Sequence, residues 1–142
     1  MPTTRGSRKS RIFVQYAVPR RGVPSAASLR KWALAASRSP LTLRVVGERE
    51  GRALNKAFRG KDRATNVLTF NTGDIALCHP VIRREARAQG KTVAAHYAHL
   101  VVHGCLHLHG YAHEKKRDAA RMEAREIRIL RSAGIANPYG VE

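Results

Sequence analysis

Residues 93–113 read "VAAHYAHLVVHGCLHLHGYAH", and this stretch decides the fold. Its first seventeen positions contain no Pro and are apolar on several sides, with Thr92 placed to cap the start. A helix of that kind has no fully polar face to give to water, so it belongs at the centre of a domain. Gly110 ends it. The stretch also holds six of the chain's seven histidines, five of them between His99 and His113. His103 and His107 are four residues apart, hence neighbours on one face of the helix. A turn through Tyr111 and Ala112 can fold His113 back toward them. Two helical imidazoles and one from the following loop make a common three-ligand catalytic metal site. Imidazole suits zinc first, with nickel, copper or iron as alternatives. Three protein ligands leave one position for water, whose pKa a metal lowers toward neutrality.

A lone histidine is more often a packed or hydrogen-bonded residue than a ligand. Two together on the inner face of a buried helix would be costly to desolvate without a shared partner. His99, one turn before His103, packs or hydrogen-bonds behind the ligands rather than joining them. His109 lies about 200° from His107 around the helix and points elsewhere. His79 and His96 have no spacing that recommends them. Cys105 and Cys78 read as small buried residues. In the zinc-protease pattern HExxH, Glu is the general base; here the segment is HGCLH, with Gly104 in that place. The ligand spacing is shared and the peptidase's base is missing, which argues against peptide hydrolysis.

Working outward, residues 11–18 and 41–47 read as strands, and 66–70 and 74–78 as two more joined by the tight connection "NTG". Helices are expected over 24–37, begun by Pro24 and Ser25, over 48–58, over 81–90 after Pro80, and over 114–134. In the last, Met122, Ile129 and Leu130 face inward. The expected fold class is α+β: one domain over 11–142 with a four-stranded sheet and about five helices. Residues 1–10 read as a loose basic tail. The acid-free start "MPTTRGSRKSRIFVQYAVPRR" has the composition of a transit peptide, but "RIFVQYAV" is strand-like and belongs to the fold.

Charge sets the partner class. Lys and Arg total 27 against 10 acidic residues in 142, a formal net of +17, with a pI near 11.3. Such a chain seeks polyanions, and nucleic acid leads. No segment pairs a basic face with a strong Trp/Phe/Leu face, so a membrane partner is not expected. Two cysteines without a CxxC pair suit a reducing, cytoplasmic setting.

Three blocks resemble the YbeY family of metal-dependent endoribonucleases. The family pattern HGxLHLxGYDH stands here as HGCLHLHGYAH; LNxxyRgkdxxTDVLSF stands as "LNKAFRGKDRATNVLTF"; GDIxIc stands as "GDIALC". The resemblance runs in the same order from about residue 11 to residue 131. It implies a mixed four-stranded sheet, a central helix carrying the ligands, and one zinc per chain on His103, His107 and His113. It also implies cleavage of single-stranded RNA, in 3′-end maturation of small-subunit (16S) ribosomal RNA and in ribosome quality control. The small subunit and its assembly factors would then be partners. Arg59 matches the family's basic residue in the substrate cleft, and a guanidinium suits bidentate phosphate contact. The chain departs from the pattern at Ala112 (Asp in the family), Asn66 (Asp), Thr69 (Ser) and Asn71 (often Pro). Glu114, beside His113, is the carboxylate that can stand in for the missing one. The competing reading is an RNA-binding ribosome-assembly protein with a mainly structural zinc.

Overall fold

Leu41, Leu43 and Val45 alternate with Thr42 and Arg44, a period of two that gives strand β2 (Leu41–Val46) one buried face. In the computed structural model, which describes residues 11–109 and 116–140, β2 lies inside a four-stranded sheet. Its companions are β1 (Ile12–Tyr16), β3 (Val67–Phe70) and β4 (Asp74–Cys78), in the order β1-β2-β4-β3. β1 and β4 run parallel to β2, and β3 runs antiparallel to β4, so the sheet is mixed as expected. Gly73, at φ 92°, closes the turn between β3 and β4 by donating its N–H to Phe70 O.

Five helices complete the described chain: α1 (Ala26–Ala36), α2 (Glu48–Arg59), α3 (His79–Gln89), α4 (Val93–Leu108) and α5 (Lys116–Ser132). Ser25 caps α1 by accepting from Ser28 N, and Thr92 caps α4 by accepting from Ala95 N. α3 starts two residues earlier than the sequence suggests. Pro80 sits in its first turn, where the missing N–H has no partner to lose, so the proline opens the helix instead of preceding it. The tail over 1–10, Gly110, Ala112, His113 and Glu114 lie outside the described residues.

The register pairs Leu43 with Ile75 and Val45 with Leu77, which puts all four on one face of the sheet. α4 lies across that face with Tyr97, Val101 and Cys105, and α1 adds Leu29 and Ala33. Each fully buried Leu, Ile or Val here contributes roughly 1.5–3 kcal/mol, so this layer is the main source of stability. On the other face Val46, Cys78 and Val81 form a smaller cluster against α2. α2 approaches so closely that a Cβ on Gly51 would stand 2.9 Å from Cys78 Sγ.

Gly104 is the corresponding contact of α4. A Cβ there would lie 3.2 Å from Ile75 Cδ1 and 3.3 Å from Thr69 Cγ2. The position that carries the base in HExxH therefore faces the sheet, where a carboxylate would meet methyl groups. Gly104→Glu should destabilise the protein by about 3–5 kcal/mol, the usual cost of an uncompensated buried charge. Gly104→Ala should stay within about 1 kcal/mol of the parent, because helix propensity offsets the tight contact. Urea unfolding of both variants checks this; a Glu variant as stable as the parent would contradict the packing.

Candidate metal centre

His96, His99, His103 and His107 follow one another along α4 by three, four and four residues, so they form one stripe. Successive ring centroids are 6.1, 6.0 and 6.5 Å apart. Spacing in the sequence leaves His96 aside; its three-residue step to His99 is the signal that includes it. Among the described residues, the carboxylates of Glu126 and Glu85 meet histidines of this stripe.

The first is Glu126 of α5, which has no solvent exposure. Its Oε1 lies 2.7 Å from His103 Nδ1, and its Oε2 accepts from the Tyr139 hydroxyl at 2.7 Å. His99 Nε2 stands 3.0 Å from the same Oε2. Burial alone would raise this carboxyl. The His103 hydrogen bond, the adjacent His99 ring and the Tyr139 hydroxyl outweigh it and hold the group at about 2. Tyr139 responds in the opposite sense: burial and the Glu126 charge push its phenol up, so it stays a donor.

The second carboxylate is Glu85 of α3. Its Oε1 lies 2.8 Å from His96 Nε2 and accepts from Asn66 Nδ2 at 2.9 Å. Burial lowers the His96 pKa, with Glu85 opposing the shift. Asn66 is thus a hydrogen-bond donor to a carboxylate, and the amide found in place of the family's Asp suits that partner.

His79 and His109 stand apart from this cluster. His79 Nδ1 lies 2.7 Å from the Tyr97 hydroxyl, and His109 Nε2 lies 3.1 Å from Ser37 Oγ. Both cysteines are buried; desolvation pushes the Cys105 thiol up to about 12 and raises Cys78 as well, so neither offers a thiolate.

His103 is partly buried, and His107 is exposed one turn further on, their rings within 20° of parallel. Arg59 is exposed at the C-terminal end of α2. It follows Phe58, whose ring packs edge-on against Phe70 at 5.0 Å. A cavity of about 340 Å³ opens beside His103, with Asn66, Val67, His99, Glu123 and Tyr139 in its wall.

Among the described residues, donor atoms of His99, His103 and Glu126 come within 4.8 Å of one another and could hold a metal ion. Their hydrogen bonding gives them a second role. With Nδ1 committed to Glu126, His103 can ligate only through Nε2, and a buried carboxylate behind an imidazole is the usual partner of a metal-binding histidine. Glu126 went unnoticed in the sequence although a signal was there. It sits four residues after Met122 and four before Leu130, a charged residue inside an apolar stripe.

A family model described as Endoribonuclease YbeY matches residues 24–134. Endoribonuclease YbeY of Xanthomonas axonopodis pv. citri is 46% identical over an alignment covering 98% of this chain and 99% of that protein. The protein of the same name from Aromatoleum aromaticum is 53% identical, covering 82% of this chain and 81% of its own. The solution structure of a Thermotoga maritima protein is similar at a TM-score of 0.52 and 25% identity, covering 92% of this chain and 99% of that one.

The Asn66–Glu85–His96 arrangement can be tested on stability. Asn66→Asp would remove a donor and set a second carboxylate against Glu85. At pH 8 this should cost about 1 kcal/mol, the net worth of a hydrogen bond between half-buried groups. The difference from the parent should shrink at pH 5, where a proton shared by the two carboxylates replaces the lost N–H. Urea unfolding at both pH values reads it; a pH-independent difference would contradict the carboxylate pairing.

Proposed function

The chain belongs to the YbeY family of endoribonucleases, and we propose that it is a zinc-dependent endoribonuclease acting on single-stranded RNA. His103, His107 and His113 would hold one zinc ion per chain. The observation that carries the site is the 2.7 Å contact between His103 Nδ1 and buried Glu126. It supports a ligating imidazole whose Nε2 faces the metal. The exposure of His107 supports an open, catalytic site over a closed structural one. When bound, zinc supplies Lewis acidity toward a phosphodiester and toward water.

The chain's own residues do the rest. A net charge of +17 draws a polyanion to the surface and holds it against diffusion. Arg59 offers two parallel N–H donors to non-bridging phosphate oxygens, fixing the phosphate while negative charge develops on it. In the hydrolysis a water oxygen bonds to phosphorus, one P–O ester bond breaks, and the leaving oxygen takes up a proton. Gly104 leaves no carboxylate at the HExxH position to serve that proton transfer. Among the described residues no helix is long and apolar enough to cross a membrane. Within the family reading, the substrate is small-subunit ribosomal RNA, matured at its 3′ end and surveyed for quality in the cytoplasm. The small subunit and its assembly factors are the partners.

One experiment separates the roles: zinc content and single-turnover RNA cleavage at saturating enzyme, for the parent and three variants prepared identically. His107→Ala should lose most of its zinc and its cleavage. Arg59→Ala should keep its zinc and cleave roughly 10²–10³ more slowly, the cost of a lost charge-stabilising contact. Arg87→Ala, at an exposed position of α3, should cleave at the parent rate. Its binding should show a salt slope smaller by only about 0.7. Full zinc and cleavage in His107→Ala would overturn the site. Equal rates for the two arginine variants would remove Arg59 from it.

A further inference from the structure

We propose that Glu126, held in place by Tyr139, is the positioning residue of the metal centre. Its carboxylate fixes His103 as the Nδ1–H tautomer and turns Nε2 toward the metal. This rests on the three-histidine site proposed above.

A fully buried carboxylate is expensive, and α5 could fill its place with Leu at no such cost. Glu126 lies between Met122 and Leu130, both without exposure, so its charge faces α4 from an otherwise apolar surface. Its two oxygens divide their work. Oε1 meets His103 Nδ1, and Oε2 takes the Tyr139 hydroxyl, each at 2.7 Å. A carboxylate anchored at one oxygen cannot rotate away from the ring at the other.

Tyr139 is itself tied down. Its backbone N–H donates to Asn137 Oδ1 at 2.8 Å, and its ring packs edge-on against His99 at 5.4 Å. The preceding residue, Pro138, accepts from Lys91 Nζ at 3.0 Å, which binds the C-terminal segment to the connection between α3 and α4. The segment after α5 thus reaches back over the histidine helix and sets the carboxylate that sets His103. A charged acceptor also makes the imidazole more electron-rich, which strengthens Nε2 as a ligand. Among the described residues, Glu126 is the carboxylate hydrogen-bonded to His103.

The test measures zinc affinity of the full chain by chelator competition, alongside thermal unfolding of the metal-free protein. Glu126→Gln should bind zinc 10–100-fold more weakly, the usual effect of losing such a partner. The metal-free form should unfold within a few degrees of the parent. Tyr139→Phe, at a residue 42% exposed, should weaken binding several-fold with unfolding unchanged. Should Glu126→Gln not fold, Tyr139→Phe carries the decision, and parent affinity in it would overturn the proposal. Parent affinity in Glu126→Gln together with zinc loss in His107→Ala would overturn this inference alone. Zinc retained by His107→Ala but lost by both His99→Ala and Glu126→Gln would make Glu126 a direct ligand, overturning this inference and the three-histidine site together.

Discussion

A carboxylate with no solvent exposure stands between α4 and α5, and the histidine stripe depends on it. The His103 hydrogen bond, the His99 ring and the Tyr139 hydroxyl hold the Glu126 carboxyl well below the usual carboxylate range against its burial, and α4 meets it with imidazole. That contact is met in one rotation of α4 about its axis. With His99 and His103 turned to α5, Gly104 falls against Ile75 and Thr69, and Tyr97, Val101 and Cys105 fall into the main core. The polar contact and the apolar layer select the same orientation, which is the agreement between levels that makes a fold specific.

The cluster continues beyond Glu126. Glu85, His96 and Asn66 form a second carboxylate–imidazole arrangement one turn earlier on the same helix. α4 is therefore polar along one line and apolar elsewhere, each polar line segment meeting a different neighbour: α5 and the C-terminal segment at one end, α3 and the start of β3 at the other. The positive field acts on another scale. Among the described residues, three arginines are engaged with acids: Arg44 with Glu50, Arg52 with Asp62 and Arg84 with Glu48. Surface pairs of this kind contribute little to stability. They also leave most of the 27 cationic side chains for a polyanion, since only 10 acids exist to pair with them.

Much of this was legible in the sequence because it is local. Thr92 before an apolar run marks the start of α4, "NTG" between two β-branched stretches marks the hairpin, and a four-residue step puts His103 beside His107. Gly104 in place of Glu was visible as a departure from HExxH, though its cause, the close approach of Ile75, was not. The partners across the fold were hidden. Nothing near Asn66 in sequence points to Glu85, nineteen residues on, and nothing near His103 points to Glu126, twenty-three residues on. Tyr139 was harder still, since a tyrosine close to the end of a basic chain gives no sign of reaching a buried carboxylate. The early start of α3 shows the same limit at short range: Pro80 reads as the residue before the helix until its place in the first turn is seen, where a missing N–H costs no hydrogen bond.

The central claim is the state of one imidazole, and ¹H–¹⁵N NMR correlation of the histidine rings in the full chain reads it most directly. The account predicts that His103 carries its proton on Nδ1 before zinc is added, and that zinc then shifts the Nε2 resonance while Nδ1 stays protonated. A His103 protonated on Nε2, or one whose Nδ1 loses its proton on zinc addition, would contradict it.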